Sequence, residues 1–116
     1  MRILTFKGKY SYRPEESFLG FICFCHFEAK DTSKKFEIIA EEINTYSSGQ
    51  KIILVPFSHL HESVLPKENA QKLFVEFEKV LERISGQKIS AVLFGVSKEL
   101  NLNIEKDDTA IKFFHF

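Results

Sequence analysis

The chain has 116 residues, enough to bury a core and too few for two independent ones, so a single domain spanning residues 1–116 is expected. Hydrophobic residues make up 44% and charged residues 28%, a balance that excludes the disordered class. Sixteen basic residues against sixteen acidic ones give a formal net charge of +0, so any contact with a polyanion has to come from a local patch.

Met1 to Phe6 carries Ile3, Leu4 and Phe6, and Phe18 to Phe27 is an apolar run rich in β-formers; both read as strands, the second central in its sheet. The polar stretch Arg13-Pro14-Glu15-Glu16 reads as the connection between strands. Asp31, Thr32 and Ser33 offer N-cap oxygens ahead of Phe36, Ile39, Ala40 and Ile43, whose spacing puts one apolar stripe on a helix that Gly49 closes. Lys51 to Val55 ends in an aliphatic run typical of a strand covered on both faces, and Pro56 stops it. From Pro66, Ala70, Leu73, Phe74, Phe77, Val80, Leu81 and Ile84 mark one face of a longer helix that ends at Gly86. Ile89 to Val96 reads as a strand, and Leu100, Leu102 and Ile104 alternate with polar residues as in a half-buried strand. Lys106-Asp107-Asp108 suits a turn, and Ala110 to Phe116 is a last strand. The order ββαβαβββ predicts an α/β fold, a mixed β-sheet packed against two helices, with the face that each helix covers left undetermined.

Cys23 and Cys25 alternate on one strand and project the same way, which does not favour a disulfide. His26 has the opposite parity and no second cysteine pair completes a zinc set, so the thiols are expected to be buried core residues. No metal or cofactor is expected, since P-loop and dinucleotide glycine motifs are absent. Neither a leader nor an apolar stretch of about 18 residues occurs, so a cytoplasmic protein without membrane contact is expected. Thirteen phenylalanines exceed what one small core readily hides, which points to a homodimer.

Two residues stand out for chemistry. Lys98 shares strand parity with Leu100, Leu102 and Ile104, so its ammonium either faces the apolar side and needs an anion, water or ligand, or sits in a turn with its charge in water. His59 follows the strand ending at Val55-Pro56, where α/β sheets commonly bind ligands; the alternative is an exposed or structural imidazole. Ser58 beside His59 does not make a catalytic dyad by adjacency, and no G-x-S-x-G elbow is present.

The run Val55-Pro56-Phe57-Ser58-His59-Leu60, followed by Glu62, Ser63 and a helix opening near Pro66, resembles the editing domain of archaeal threonyl-tRNA synthetase, whose pattern is similar to P-F-x-H-L. Phe94-Gly95-Val96-Ser97-Lys98 resembles the F-G-x-x-K of the same family, in matching order. Met1-Arg2-Ile3-Leu4, Tyr10 and Gly20-Phe21-Ile22-Cys23 extend the likeness to about Leu102. The resemblance implies a D-aminoacyl-tRNA deacylase-like fold on a free-standing chain, usually dimeric, that hydrolyses seryl-tRNA wrongly formed on threonine tRNA or a related aminoacyl-tRNA. The implied partners are the acceptor end of the aminoacyl-tRNA and a threonyl-tRNA synthetase. It further implies that Pro56, Phe57 and Ser58 line an amino-acid pocket with Phe94, Gly95 and Ser97, and that His59 and Lys98 carry the catalytic roles. An ester carbonyl attacked by positioned water needs no nucleophilic side chain. Lys7-Gly8-Lys9 stands where the family has His-Ser-Asp, Ser97 replaces a frequent aromatic, and the family's later acidic segment has no counterpart in Asp107 to Phe116. These departures keep open an alternative, a catalytically inactive relative that binds an amino acid or a protein partner. Lys7 and Lys9, expected on an edge strand, read as phosphate contacts or as solubilising charge.

Overall fold

A computed structural model describes residues 1–13, 16–92, 101–104 and 110–116. The elements are β1 (Arg2–Arg13), β2 (Glu16–His26), a 3-10 turn (Ser33–Lys35), α1 (Phe36–Ser47), β3 (Ile52–Pro56), α2 (Lys67–Ser85), β4 (Ser90–Ala91), β5 (Asn101–Ile104) and β6 (Ile111–His115). They build one mixed six-stranded sheet in the order β4-β3-β2-β1-β5, with β6 also paired to β1. β6 lines the outer edge of β1 along Arg2–Phe6 and β5 lines it along Gly8–Ser11, both antiparallel. β1 therefore has neighbours on both sides, and Lys7 and Lys9 are not on an edge strand.

β2–α1–β3 and β3–α2–β4 are parallel crossovers that step in the same direction along the sheet. Crossovers of a single hand that step the same way must leave their helices on one face. The core shows this. Ile3, Phe21, Cys23, Cys25, Ile52, Leu54 and Phe114 pack with Phe36, Ile39, Ala40 and Ile43 of α1 and Ala70, Phe74, Phe77 and Leu81 of α2. Phe36 of α1 meets Phe77 of α2 edge-on at 5.2 Å between ring centroids. All five residues of β3 are buried, because Ile53 and Val55 point to the other face while Ile52 and Leu54 meet the helices.

The helix ends follow the sequence, with two differences. Thr32 accepts a hydrogen bond from the Lys34 amide, but the turn it caps is the 3-10 turn, and α1 begins only at Phe36. At the C-terminus of α1 it is Ser48, φ 52°, that first takes the left-handed conformation, ahead of Gly49; Gly86 caps α2 as its sequence suggests. The expected strand Ile89 to Val96 is represented among the described residues by Ser90–Ala91.

The other face, free of helices among the described residues, carries Phe6, Tyr10, Ile22, Phe24, Ile53, Val55 and Val92 in a second buried cluster. Tyr10 pairs with Phe18, six residues along β1 from Leu4, the partner of Phe24. A straight strand would separate those positions by about 20 Å, yet the Tyr10 and Phe24 ring centroids lie 5.5 Å apart. The β1–β2 hairpin therefore bends sharply and folds its distal half over this face. Between the two rows lie Gly8 and Gly20, paired with each other, both at φ 152°. A Cβ on Gly8 would stand 2.0 Å from the Asn103 carbonyl oxygen of β5, and one on Gly20 would stand 2.3 Å from the Lys51 carbonyl oxygen. Only glycine satisfies both the backbone conformation and the close approach, and this glycine row marks the bend.

Candidate functional site

β2 and β3 are parallel, so their carboxyl ends lie together, and the chain leaves β3 into a loop that carries Phe57 to Leu65. Ligands in open α/β sheets bind at such ends. β4 is parallel to β3 as well, and the Val92 amide donates to the Leu54 carbonyl at 2.9 Å. Phe94, Gly95, Ser97 and Lys98 follow this strand and lie outside the described residues.

Pro56 is buried as the last residue of β3, and the parallel ladder continues one step beyond it, from the Phe57 amide to the Cys25 carbonyl at 2.9 Å. That step keeps the strand parity, so the half-buried Phe57 ring lies on the helix-free face, tilted against Phe24 at 5.1 Å. His59 is exposed and its imidazole meets the Phe57 ring edge-on at 5.2 Å. Aromatic contacts thus run from Phe18 through Tyr10, Phe24 and Phe57 to His59. Burying a ring of this size stabilises by roughly 1.5–3 kcal/mol, so the wall behind His59 is part of the core. Ser58 is exposed and has no hydrogen bond to His59 among the described residues.

The far half of the loop is tied down through Ser63. Its amide donates to Nδ1 of His61 at 3.0 Å, its hydroxyl accepts from the Ala29 amide at 3.2 Å, and its carbonyl lies 2.7 Å from Nε2 of His26. A carbonyl only accepts, so Nε2 of His26 carries a hydrogen and donates it. His26 is fully buried, and its Nδ1 has no partner among the described residues. Leaving a buried acceptor unmatched costs about 1–3 kcal/mol. Two residues on, the Leu65 amide donates to the Phe27 carbonyl at 3.0 Å.

Beside this loop a charge cluster fixes the end of β2. Arg2 hydrogen-bonds the buried Glu28, with Lys30 at 3.8 Å and His115 at 3.7 Å from the same carboxylate. Asp31 accepts from the Met1 ammonium at 2.6 Å and from the Glu28 amide. Burial pushes the Glu28 pKa up, but the Arg2 hydrogen bond and the charges of the Met1 ammonium, Arg2 and Lys30 outweigh it and hold the carboxyl below its ordinary value.

Cys23 and Cys25 are free, buried thiols on the helix face of β2, opposite the face of Phe57. Burial raises both thiols far above their usual range, with Cys25 adding to the rise at Cys23, so neither is a nucleophile or a ready metal ligand. No cluster of three or more His, Cys, Asp or Glu suited to a metal ion occurs among the described residues. Lys7 and Lys9 have the parity of Phe21, on the face opposite Phe57 and His59. No described helix is long and apolar enough to cross a membrane.

Of the residues singled out in the sequence, Pro56, Phe57 and His59 gather at one sheet end, and Tyr10 joins them through Phe24. Phe24, His26 and Ser63 were not singled out as site residues. Strand parity would have placed Phe24 and His26 with Phe57 once the β2–β3 register was known.

No family model and no curated protein matches the chain. Among solved structures it is similar to one described as a c-Myc DNA unwinding element binding protein, with a TM-score of 0.76 at 14% sequence identity over 99% of this chain and 97% of that one. At that identity the likeness is one of fold.

Proposed function

We propose that the chain is an aminoacyl-tRNA editing hydrolase that clears seryl-tRNA mischarged on threonine tRNA, or a closely related aminoacyl-tRNA. The observation that carries this reading is the His59 imidazole held against an aromatic wall at the carboxyl ends of two parallel strands. The fold adds coarse support, because the structural neighbour has a D-aminoacyl-tRNA deacylase-like fold. Phe57 and the buried Pro56 form one side of the amino-acid pocket in this reading, with Ser58 at its rim, and the resemblance to the editing domain adds Phe94, Gly95 and Ser97 to its lining. His59 and Lys98 position the ester and the attacking water. Water oxygen bonds to the ester carbonyl carbon, the bond from that carbon to the ribose oxygen breaks, and a proton passes to the ribose oxygen, releasing serine and tRNA. Positioning of this kind is worth about a hundredfold in rate when one anchor is lost.

A deacylation panel tests it: seryl-tRNA is hydrolysed, threonyl-tRNA is spared, and His59→Ala and Lys98→Ala each lower kcat by about a hundredfold while thermal unfolding is unchanged. Equal hydrolysis of both substrates, or none of either, removes the proposal. A second reading, a pocket that binds an amino acid without hydrolysis, is favoured by the position of Lys7 and Lys9 on the face away from His59 and by the formal net charge of +0. Thermal stabilisation by serine with no release from seryl-tRNA selects that reading.

A further inference from the structure

We infer that His26 is a positioning residue of this site, acting through Ser63 to hold the loop that carries His59. The inference rests on the reading of that loop as the site, and its test has one arm that does not need the activity. The register Cys25↔Pro56 and the following Phe57–Cys25 bond place His26 level with Phe57, and strand parity puts both on the helix-free face. From there Nε2–H reaches the Ser63 carbonyl at 2.7 Å. Ser63 is the node of the loop, since its amide, hydroxyl and carbonyl are all engaged. His26 is the one of these three partners that comes from inside the sheet. His61 belongs to the loop itself and Ala29 to the turn after β2.

A histidine is a poor choice for a purely structural position of this kind. It is buried completely, its Nδ1 gains nothing from the described residues, and Phe24, the preceding residue on the same face of β2, is an apolar ring. What the imidazole adds over phenylalanine is the single bond to the loop. Without it the hydrogen bonds left to the segment between Phe57 and Leu65 among the described residues, where Ser58, His59, Glu62 and Val64 are exposed, are its end bonds to Cys25 and Phe27 and the other two bonds of Ser63.

Amide hydrogen exchange on the whole chain tests this with His26→Phe and His26→Gln. The glutamine side-chain amide can replace Nε2–H as donor to the Ser63 carbonyl, whereas phenylalanine cannot. The expected result is exchange at the amides of residues 59–63 about fivefold faster in His26→Phe, the loss of one net hydrogen bond, with β2 and β3 amides unchanged and near wild-type exchange restored in His26→Gln. If His26→Phe does not fold, His26→Asn, too short to reach Ser63, carries the same expectation. Unchanged loop exchange, or a rise spread equally over the sheet, overturns the inference. In the deacylation assay His26→Phe is expected to lower kcat with little change in KM, His26→Gln to recover it, and the His26→Phe, His59→Ala double variant to be no slower than His59→Ala. If the wild-type chain hydrolyses no aminoacyl-tRNA, the editing reading falls while the exchange result still decides the role of His26.

Discussion

Replacing Gly20 with alanine strikes the bend that folds the hairpin over the candidate site. At φ 152° an alanine is strained by about 1–3 kcal/mol before any contact is counted. Its Cβ would also stand 2.3 Å from the Lys51 carbonyl oxygen, more than 1 Å inside ordinary contact, so the chain entering β3 has to move. That carbonyl accepts the Phe21 amide at 2.8 Å, and losing the bond costs about 1 kcal/mol more. The sum is about 2–4 kcal/mol, against a total stability on the order of 5–15 kcal/mol for a domain. At about 4 °C per kcal/mol for a chain of this size, Tm falls by about 8–16 °C. Gly86→Ala is the control: φ is 70° but nothing lies within 4 Å of the new Cβ, so only left-handed strain of about 1 kcal/mol remains. Calorimetry of both variants checks the reasoning. If Gly20→Ala loses no more than Gly86→Ala, the close approach of the strands is not what glycine is there to permit.

Glu28 has a folded pKa below its ordinary value, so it contributes stability that is present above the usual carboxylate range and lost as pH falls through the lowered value. Denaturant unfolding from neutral to acid pH should show a shallower pH dependence in Glu28→Gln than in the wild type. Glu78 is the reverse case: burial first, then the nearby Glu82, raise its pKa against the weaker pull of Lys79. Its charge therefore costs stability above the raised value and the cost disappears as pH falls through it, so Glu78→Gln should raise Tm at neutral pH and lose that gain in acid. Lys7→Ala with Lys9→Ala should leave the salt dependence of any tRNA binding unchanged, since each phosphate contact removed would lower the slope by about 0.7–0.9; a slope reduced by one or more places those lysines on the RNA.

The parts of the fold legible in the sequence are those fixed by local pattern. The uninterrupted Ile52 to Val55 run announced a strand covered on both faces, and the apolar stripe from Ala70 to Ile84 announced α2, because burial imposes its period directly on neighbouring residues. What depends on partners distant in sequence was not legible. β1 runs to Arg13, well past the apolar residues at its start, because β2 pairs it along its length and β5 and β6 cover its other edge. The bend needs Gly8 opposite Gly20, a register no single segment reveals. The same holds at the site. Pro56, Phe57 and His59 are adjacent and were found as a motif. His26 stands beside two cysteines in the sequence, and its true partner, Ser63, lies 37 residues on.

The two faces of the sheet divide the work of the chain. Both helices cover one face, and the buried cysteines and most of the large aliphatic side chains are spent there. The other face carries no helix among the described residues, and the protein covers it with its own bent hairpin, so Tyr10, stacked on Phe18, meets Phe24 from above while Phe57 meets it from the loop. Phe24 touches Phe6, Tyr10 and Phe57 at once, so the packing of the hairpin and the placement of the loop share a single buried ring. A bend that relaxed at Gly8 and Gly20 would withdraw Tyr10 from that ring and free the support on which Phe57, and through it His59, rests. The glycine row and the histidine loop are separate features in the sequence and one mechanical unit in the fold.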